Sequence, residues 1–164
     1  ARLHFTLSEA QQQARDDIMQ HFQQQDIVLL HGVTGAGKTE IYIDLIKQAL
    51  DGGGQVLYLL PEIALTAQIV TRLMRVFGSR LGVYHSKFSD NERVEVWNGV
   101  LSGRFQVVVG VRSAVFLPFD NLSLVIVDEE HESSYKQYDP APRYNAREVA
   151  LMMANFQGAK TLLG

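Results

Sequence analysis

Six short apolar runs punctuate the chain, at 27–31, 56–60, 82–85, 107–110, 122–127 and 161–163. They are rich in Val, Ile and Leu and show no sustained alternation with polar residues. That composition predicts parallel strands covered on both faces. Between the runs lie stretches with helical spacing. Ile41, Leu45, Ile46 and Ala49 share one helix face, and Gly52, Gly53 and Gly54 stop that helix. Leu65, Ile69, Leu73 and Val76 make a second stripe. Ser89 and Glu92 form a capping box for a third helix, with Val94, Trp97 and Leu101 as its expected inner face. A first helix near 8–24 and a last near 145–156 complete the series. Repeated strand–helix alternation implies an α/β fold, a mainly parallel sheet with helices on both faces. Ligands of such sheets sit at the carboxyl ends of the strands, so the residues that follow each strand carry the chemistry.

The first strand empties into Gly32, Val33, Thr34, Gly35, Ala36, Gly37, Lys38 and Thr39. This G-x-x-x-x-G-K-T pattern between a strand and a helix is a phosphate cradle. Its glycines let backbone N–H groups turn onto an anion, and the next helix adds its positive dipole end. Lys38 is placed to reach the β- and γ-phosphates, and the Thr39 hydroxyl to coordinate Mg²⁺. The pattern implies binding of a nucleoside triphosphate.

A later apolar run ends in Asp128, Glu129, Glu130 and His131. Alone, these acids also read as a solvated turn. Beside a phosphate loop, a carboxylate at a strand tip is placed to hold Mg²⁺, the role assigned to Asp128. Glu129 is the candidate to activate or position the attacking water. His131 is a weaker candidate, since a lone His is often an ordinary loop residue.

The phosphate loop together with Asp128-Glu129-Glu130-His131 resembles superfamily 2 helicases of the DExH kind. Further blocks narrow the resemblance to the PriA-type primosomal (replication-restart) DNA helicases. These blocks are Leu60-Pro61-Glu62-Ile63-Ala64-Leu65-Thr66, His85-Ser86, Gly110-Val111-Arg112-Ser113-Ala114-Val115-Phe116 and Ser133-Ser134-Tyr135-Lys136-Gln137. The resemblance covers essentially the whole chain and implies that residues 1–164 form the first RecA-like P-loop NTPase lobe of such a motor. It further implies ATP and Mg²⁺ as cofactors, 3′→5′ movement along single-stranded DNA, and action at forked DNA. Other primosome proteins and single-stranded DNA-binding protein are the implied partners.

In the resembled family a glutamine near Gln11 reads the adenine edge, which an amide does with a paired donor and acceptor. Ser8-x-x-Gln11 is equally a capping box, and both readings stand. Phe5 is a candidate to stack on the base or to pack in the core. Pro61, Glu62 and Thr66 open a helix after the second strand, where backbone amides and the Thr66 hydroxyl suit a DNA phosphate. A strand-ending proline and a threonine cap are the plainer account. Arg112 and Ser113 repeat that logic after another strand, although Val111 stands where many relatives carry a hydroxyl residue. Tyr135 and Lys136 match the family's aromatic-rich loop that couples DNA binding to hydrolysis. Tyr138, Tyr144, Arg143 and Arg147 extend a pattern suited to stacking on unpaired bases, or to a proline-stiffened loop packed on the lobe.

Composition trims these readings. At 164 residues, 46% hydrophobic and 20% charged, the chain fits one globular domain. A net charge of −3 argues against a wholly basic nucleic-acid coat protein. Cysteine is absent, which excludes disulfides and thiolate metal sites within these residues. No run approaches the roughly 18 apolar residues of a membrane span, so a cytoplasmic, monomeric piece without membrane contact is expected. The chain starts without Met and stops just after a strand-like run, as if cut from something longer. The resembled family's Ser-Ala-Thr motif, zinc region and arginine-bearing second lobe are not in it. The piece is therefore expected to bind nucleotide weakly without unwinding DNA. Rival readings are another superfamily 2 translocase or RNA helicase, a P-loop kinase, and a nucleotide-gated DNA-binding module.

Overall fold

A computed structural model describes residues 6–30, 36–85, 87–128 and 145–164, with Ala36 placed by its backbone alone. Six parallel strands form one sheet: β1 (Ile27–Leu29), β2 (Gln55–Leu59), β3 (Leu81–Tyr84), β4 (Val107–Gly110), β5 (Leu122–Val127) and β6 (Lys160–Leu163). Their spatial order is β1-β6-β5-β2-β4-β3. Among the described residues α1 (Glu9–Phe22) precedes the first strand, and α2 (Ala36–Asp51), α3 (Ala67–Phe77), α4 (Asp90–Leu101) and α5 (Ala146–Gln157) lie between strands.

Two apolar layers explain why the strands read as unbroken hydrophobic runs. On one face Val56, Tyr58, Val107, Val109, Leu124, Ile126 and Leu162 pack with α1, α2 and α3. On the other, Leu57, Leu59, Val108, Val125, Val127 and Leu163 pack with α4, α5 and the 3₁₀ turn Arg112–Phe116. Alternate residues of each central strand point to opposite layers, and both layers exclude water. The α/β architecture with helices on both faces is the one expected from the sequence.

Helix ends follow local chemistry. Ser8 and Gln11 form a reciprocal capping box on α1, and Ser89 and Glu92 form another on α4. The Asn145 side chain accepts the Arg147 N–H at the start of α5, and Gly158, at φ 71°, ends that helix in the left-handed region.

Three expectations are corrected. The inner face of α4 is not Val94, Trp97 and Leu101, which are 55%, 44% and 59% exposed. Val96, Gly99 and Val100 face the sheet instead. The helix carries two apolar stripes, and glycine decides between them. The Phe105 ring fills the space where a Cβ at Gly99 would lie, and a Cβ at Gly82 of β3 would come within 2.9 Å of the same ring. Leu65 is buried but precedes α3, ending a 3₁₀ turn over Glu62–Ala64, because Thr66 caps the helix after it. β1 is covered on one face only: Val28 is buried, whereas Ile27 and Leu29 are about half exposed on an edge strand.

Candidate functional site: the carboxyl edge of the sheet

Strand order gathers the segments that leave each strand into one row. Backbone hydrogen bonds continue past the strand ends and cross the sheet. Leu30 N–H donates to the Leu163 carbonyl (2.8 Å), Gly164 to Val127 (2.9 Å), Asp128 to Leu59 (3.0 Å), Leu60 to Gly110 (2.9 Å) and Val111 to Tyr84 (3.2 Å). The row thus runs Leu30, Gly164, Asp128, Leu60, Val111. Every candidate segment that follows a strand starts from it.

The first turn of α2 faces this row. It begins at Ala36 and contains Gly37, Lys38 and Thr39, of which Lys38 and Thr39 are half-buried. Two buried tyrosines join that helix to the strand tips. Tyr42, one turn beyond Thr39, donates its hydroxyl hydrogen to Asp128 Oδ1 at 2.8 Å. Tyr58 of β2 has the Thr39 side chain as a polar neighbour. The two rings meet edge to face, with centroids 5.4 Å apart at 73°. Burial first, and then the charge of Asp128, push the Tyr58 phenol above the ordinary tyrosine range, against an opposing effect of Thr39. The phenol therefore stays neutral at physiological pH. Thr39 and Asp128, named as metal-side groups from the sequence, lie at the two ends of this tyrosine pair.

Gln11 bridges two elements. Its Oε1 accepts the Ser8 N–H at 2.8 Å, and its Nε2 approaches the Gly37 carbonyl at 3.4 Å. The capping box exists, and the same amide reaches the start of α2. On the other half of the row, Pro61 follows Leu60 and precedes the 3₁₀ turn that begins at Glu62, while Thr66 Oγ1 accepts the Ile69 N–H at 3.3 Å. Arg112 and Ser113 open the 3₁₀ turn after β4 and are half-buried. Gly32, Val33, Thr34, Gly35, Glu129, His131, Tyr135 and Lys136 lie outside the described residues, as does Phe5.

Sequence reasoning passed over Tyr42 and Tyr58. The available signal was a tyrosine spaced one helical turn from Thr39, and another interrupting an otherwise aliphatic strand. It also passed over the ion pair between Glu40 of α2 and Arg72 of α3.

The donor chemistry suits a hard cation: one hydroxyl and one carboxylate, both oxygen. Among the described residues no group of three or more His, Cys, Asp or Glu forms a self-sufficient metal cage. A cation here would take its remaining oxygens from phosphates and water, the usual habit of Mg²⁺ in phosphate-loop proteins.

The profile of the DEAD/DEAH box helicase family matches residues 8–162, and the chain belongs to that family. Membership implies use of a nucleotide. Similar proteins include the replication restart protein PriA of Chlamydia trachomatis, 45% identical over 161 residues, which span 97% of this chain and 21% of that protein. The Bacillus subtilis replication restart protein PriA is 48% identical over 138 residues, 84% of this chain and 17% of its own length. The chain thus spans about a fifth of the length of these relatives. Among solved structures, RecG bound to a three-way DNA junction overlays with a TM-score of 0.68 at 22% identity, covering 98% of this chain and 21% of RecG. A nuclease-deletion mutant of the Type ISP restriction-modification enzyme LlaGI, in complex with a DNA substrate mimic, gives 0.62 at 17% identity, covering 97% and 17%. Both overlays establish the RecA-like fold. No helix among the described residues is long and apolar enough to cross a membrane.

Proposed function

We propose that residues 1–164 are the ATP-binding motor lobe of an ATP-dependent 3′→5′ DNA helicase that acts in replication restart. One observation carries the chemical half of this reading: Thr39 and Asp128, on different elements, are joined through buried Tyr58 and Tyr42 at a single strand edge. Identities of 45% and 48% to replication restart proteins support the biological half.

In this reading Lys38 reaches the β- and γ-phosphates from the first turn of α2, with the dipole of that helix behind it. Backbone N–H groups of Gly32, Val33, Thr34, Gly35, Ala36 and Gly37 cradle the phosphates, and Gln11 contacts adenine. Thr39 and Asp128 hold Mg²⁺, which when bound neutralises phosphate charge. Glu129 orients the attacking water, and His131 relays nucleotide state toward the DNA. Pro61, Glu62, Thr66, Arg112, Ser113, Tyr135 and Lys136 contact single-stranded or forked DNA, mainly through phosphates and stacking. A second lobe supplies the arginines that stabilise the transition state. Residues 1–164 alone then bind ATP weakly and do not unwind. Other primosome proteins and single-stranded DNA-binding protein are the partners of the whole protein, in the cytoplasm.

The test is ATP hydrolysis by the full-length protein, with and without single-stranded DNA, beside Lys38→Ala. The expected result is DNA-stimulated turnover that falls by about 100-fold or more in the variant, as when a transition-state donor is removed. A DNA-independent rate that ignores the substitution would end the motor reading.

A further inference from the structure

A buried phenol that donates to a strand-tip carboxylate admits two accounts. In the plainer one, Asp128 merely satisfies the hydroxyl of a tyrosine that is fully buried for packing. The geometry favours more than that. Tyr42 and Thr39 lie one turn apart on α2 and point to the same strand tips, one hydroxyl toward Asp128 and the other toward Tyr58. The Asp128 backbone is fixed separately, by its N–H to the Leu59 carbonyl at 3.0 Å. With the backbone fixed and Oδ1 accepting from Tyr42, α2 takes part in orienting the carboxylate. The Thr39 hydroxyl and the Asp128 carboxylate are thereby coupled through one turn of α2.

Gly164 completes the contact at the tip of β6. A Cβ there would overlap the Tyr42 hydroxyl and lie 3.2 Å from Asp128 Oδ1. No side chain fits without displacing the hydrogen bond. The carboxylate, the phenol and the neighbouring strand end therefore form one close-packed point.

We propose that Tyr42 is a positioning residue for the divalent cation, orienting Asp128 by its hydroxyl and tuning the site toward Mg²⁺. The proposal rests on the reading of Thr39 and Asp128 as cation-side groups. Mg²⁺ demands near-ideal octahedral geometry, whereas Ca²⁺ accepts six to eight oxygens in flexible arrangements. A loosened carboxylate should therefore cost Mg²⁺ more than Ca²⁺. Groups that orient first-layer ligands typically contribute 10- to 100-fold to metal affinity.

The experiment is binding of a fluorescent ATP analogue to the full-length protein in EDTA, in Mg²⁺ and in Ca²⁺, for wild type, Tyr42→Phe, Gly164→Ala and Asp128→Ala. For Tyr42→Phe the expected result is unchanged affinity in EDTA, a loss of about ten-fold in the Mg²⁺ enhancement, and a smaller loss in Ca²⁺. Gly164→Ala, which keeps every functional group but displaces the hydroxyl, should move Mg²⁺ binding in the same direction. If Tyr42→Phe keeps the wild-type Mg²⁺ enhancement while Asp128→Ala loses it, the positioning role is overturned and the cation reading survives. Equal losses in EDTA, Mg²⁺ and Ca²⁺ for Tyr42→Phe would show a packing role only. An Asp128→Ala protein that responds to Mg²⁺ like wild type would overturn the cation reading and this proposal with it.

Discussion

The two halves of the strand-tip row are built differently. On the β1-β6-β5 side, Asp128 is braced from within by Tyr42, whose ring meets Tyr58 of the neighbouring β2, both tyrosines being almost fully buried. On the β2-β4 side, short 3₁₀ turns and the Thr66 cap hold the backbone, and side chains are presented outward: Ile63 is 84% exposed and Phe116 55%. One half fixes side-chain geometry, as chemistry on a small charged ligand requires. The other fixes backbone and leaves side chains adaptable, which suits a surface that meets a larger partner.

The contrast is sharpest in stability. Tyr42→Ala removes a buried aromatic and should destabilise by about 3–5 kcal/mol, the range for large-to-small core changes. Ile63→Ala, at the opposite half of the row, should stay within about 0.5 kcal/mol. Urea unfolding of the two variants checks both, and similar midpoints would erase the distinction between the halves.

A second measurement probes the buried phenol through pH. The Tyr58 pKa is raised in the folded state, chiefly by burial. Its contribution is therefore fully present below the unfolded value near 10 and is lost as pH rises above it. Between wild type and Tyr58→Phe, stability should diverge only above about pH 10. The difference in slope should approach about 1.4 kcal/mol per pH unit, one proton's worth. Equal slopes would mean that ionising this phenol costs the fold nothing.

The smallest expected effect separates the two readings of Gln11. Ser8→Ala and Gln11→Ala both break the capping box, each at a cost of about 1 kcal/mol. Only Gln11→Ala removes an amide from the neighbourhood of Gly37. A preference for ATP over GTP that weakens in Gln11→Ala but not in Ser8→Ala assigns the residue to base recognition. Parallel behaviour assigns it to the helix cap.

The sheet was legible because central strands buried on both faces are almost wholly apolar, so the runs at 107–110 and 122–127, the latter broken only by Ser123, match the strands residue for residue. Thr39 and Asp128 could be proposed as cation-side groups because phosphate loops and strand-tip acids recur at fixed places relative to strands. What the sequence hides is whatever depends on strand order. Tyr42 meets Asp128 only because β5 lies between β6 and β2, an adjacency not written in any local pattern. The α4 error has the same root. Val94, Trp97 and Leu101 have faultless helical spacing, but the seat was decided by Phe105 lying against Gly99 and Gly82, residues from three separate segments.

The Glu40–Arg72 ion pair acts as a tie rod between two helices. Glu40 sits directly after Thr39, and Arg72 sits in the helix launched from the Pro61–Thr66 segment. The second carboxylate oxygen of Glu40 is buried without a hydrogen-bond partner among the described residues. Pulling the pair apart would leave the mostly covered Glu40 carboxylate, 15% exposed, without its Arg72 partner. A tilt of α2 that exceeds the reach of these side chains must therefore drag α3 along, so the anchor of the phosphate loop and the helix beyond β2 shift as one lever.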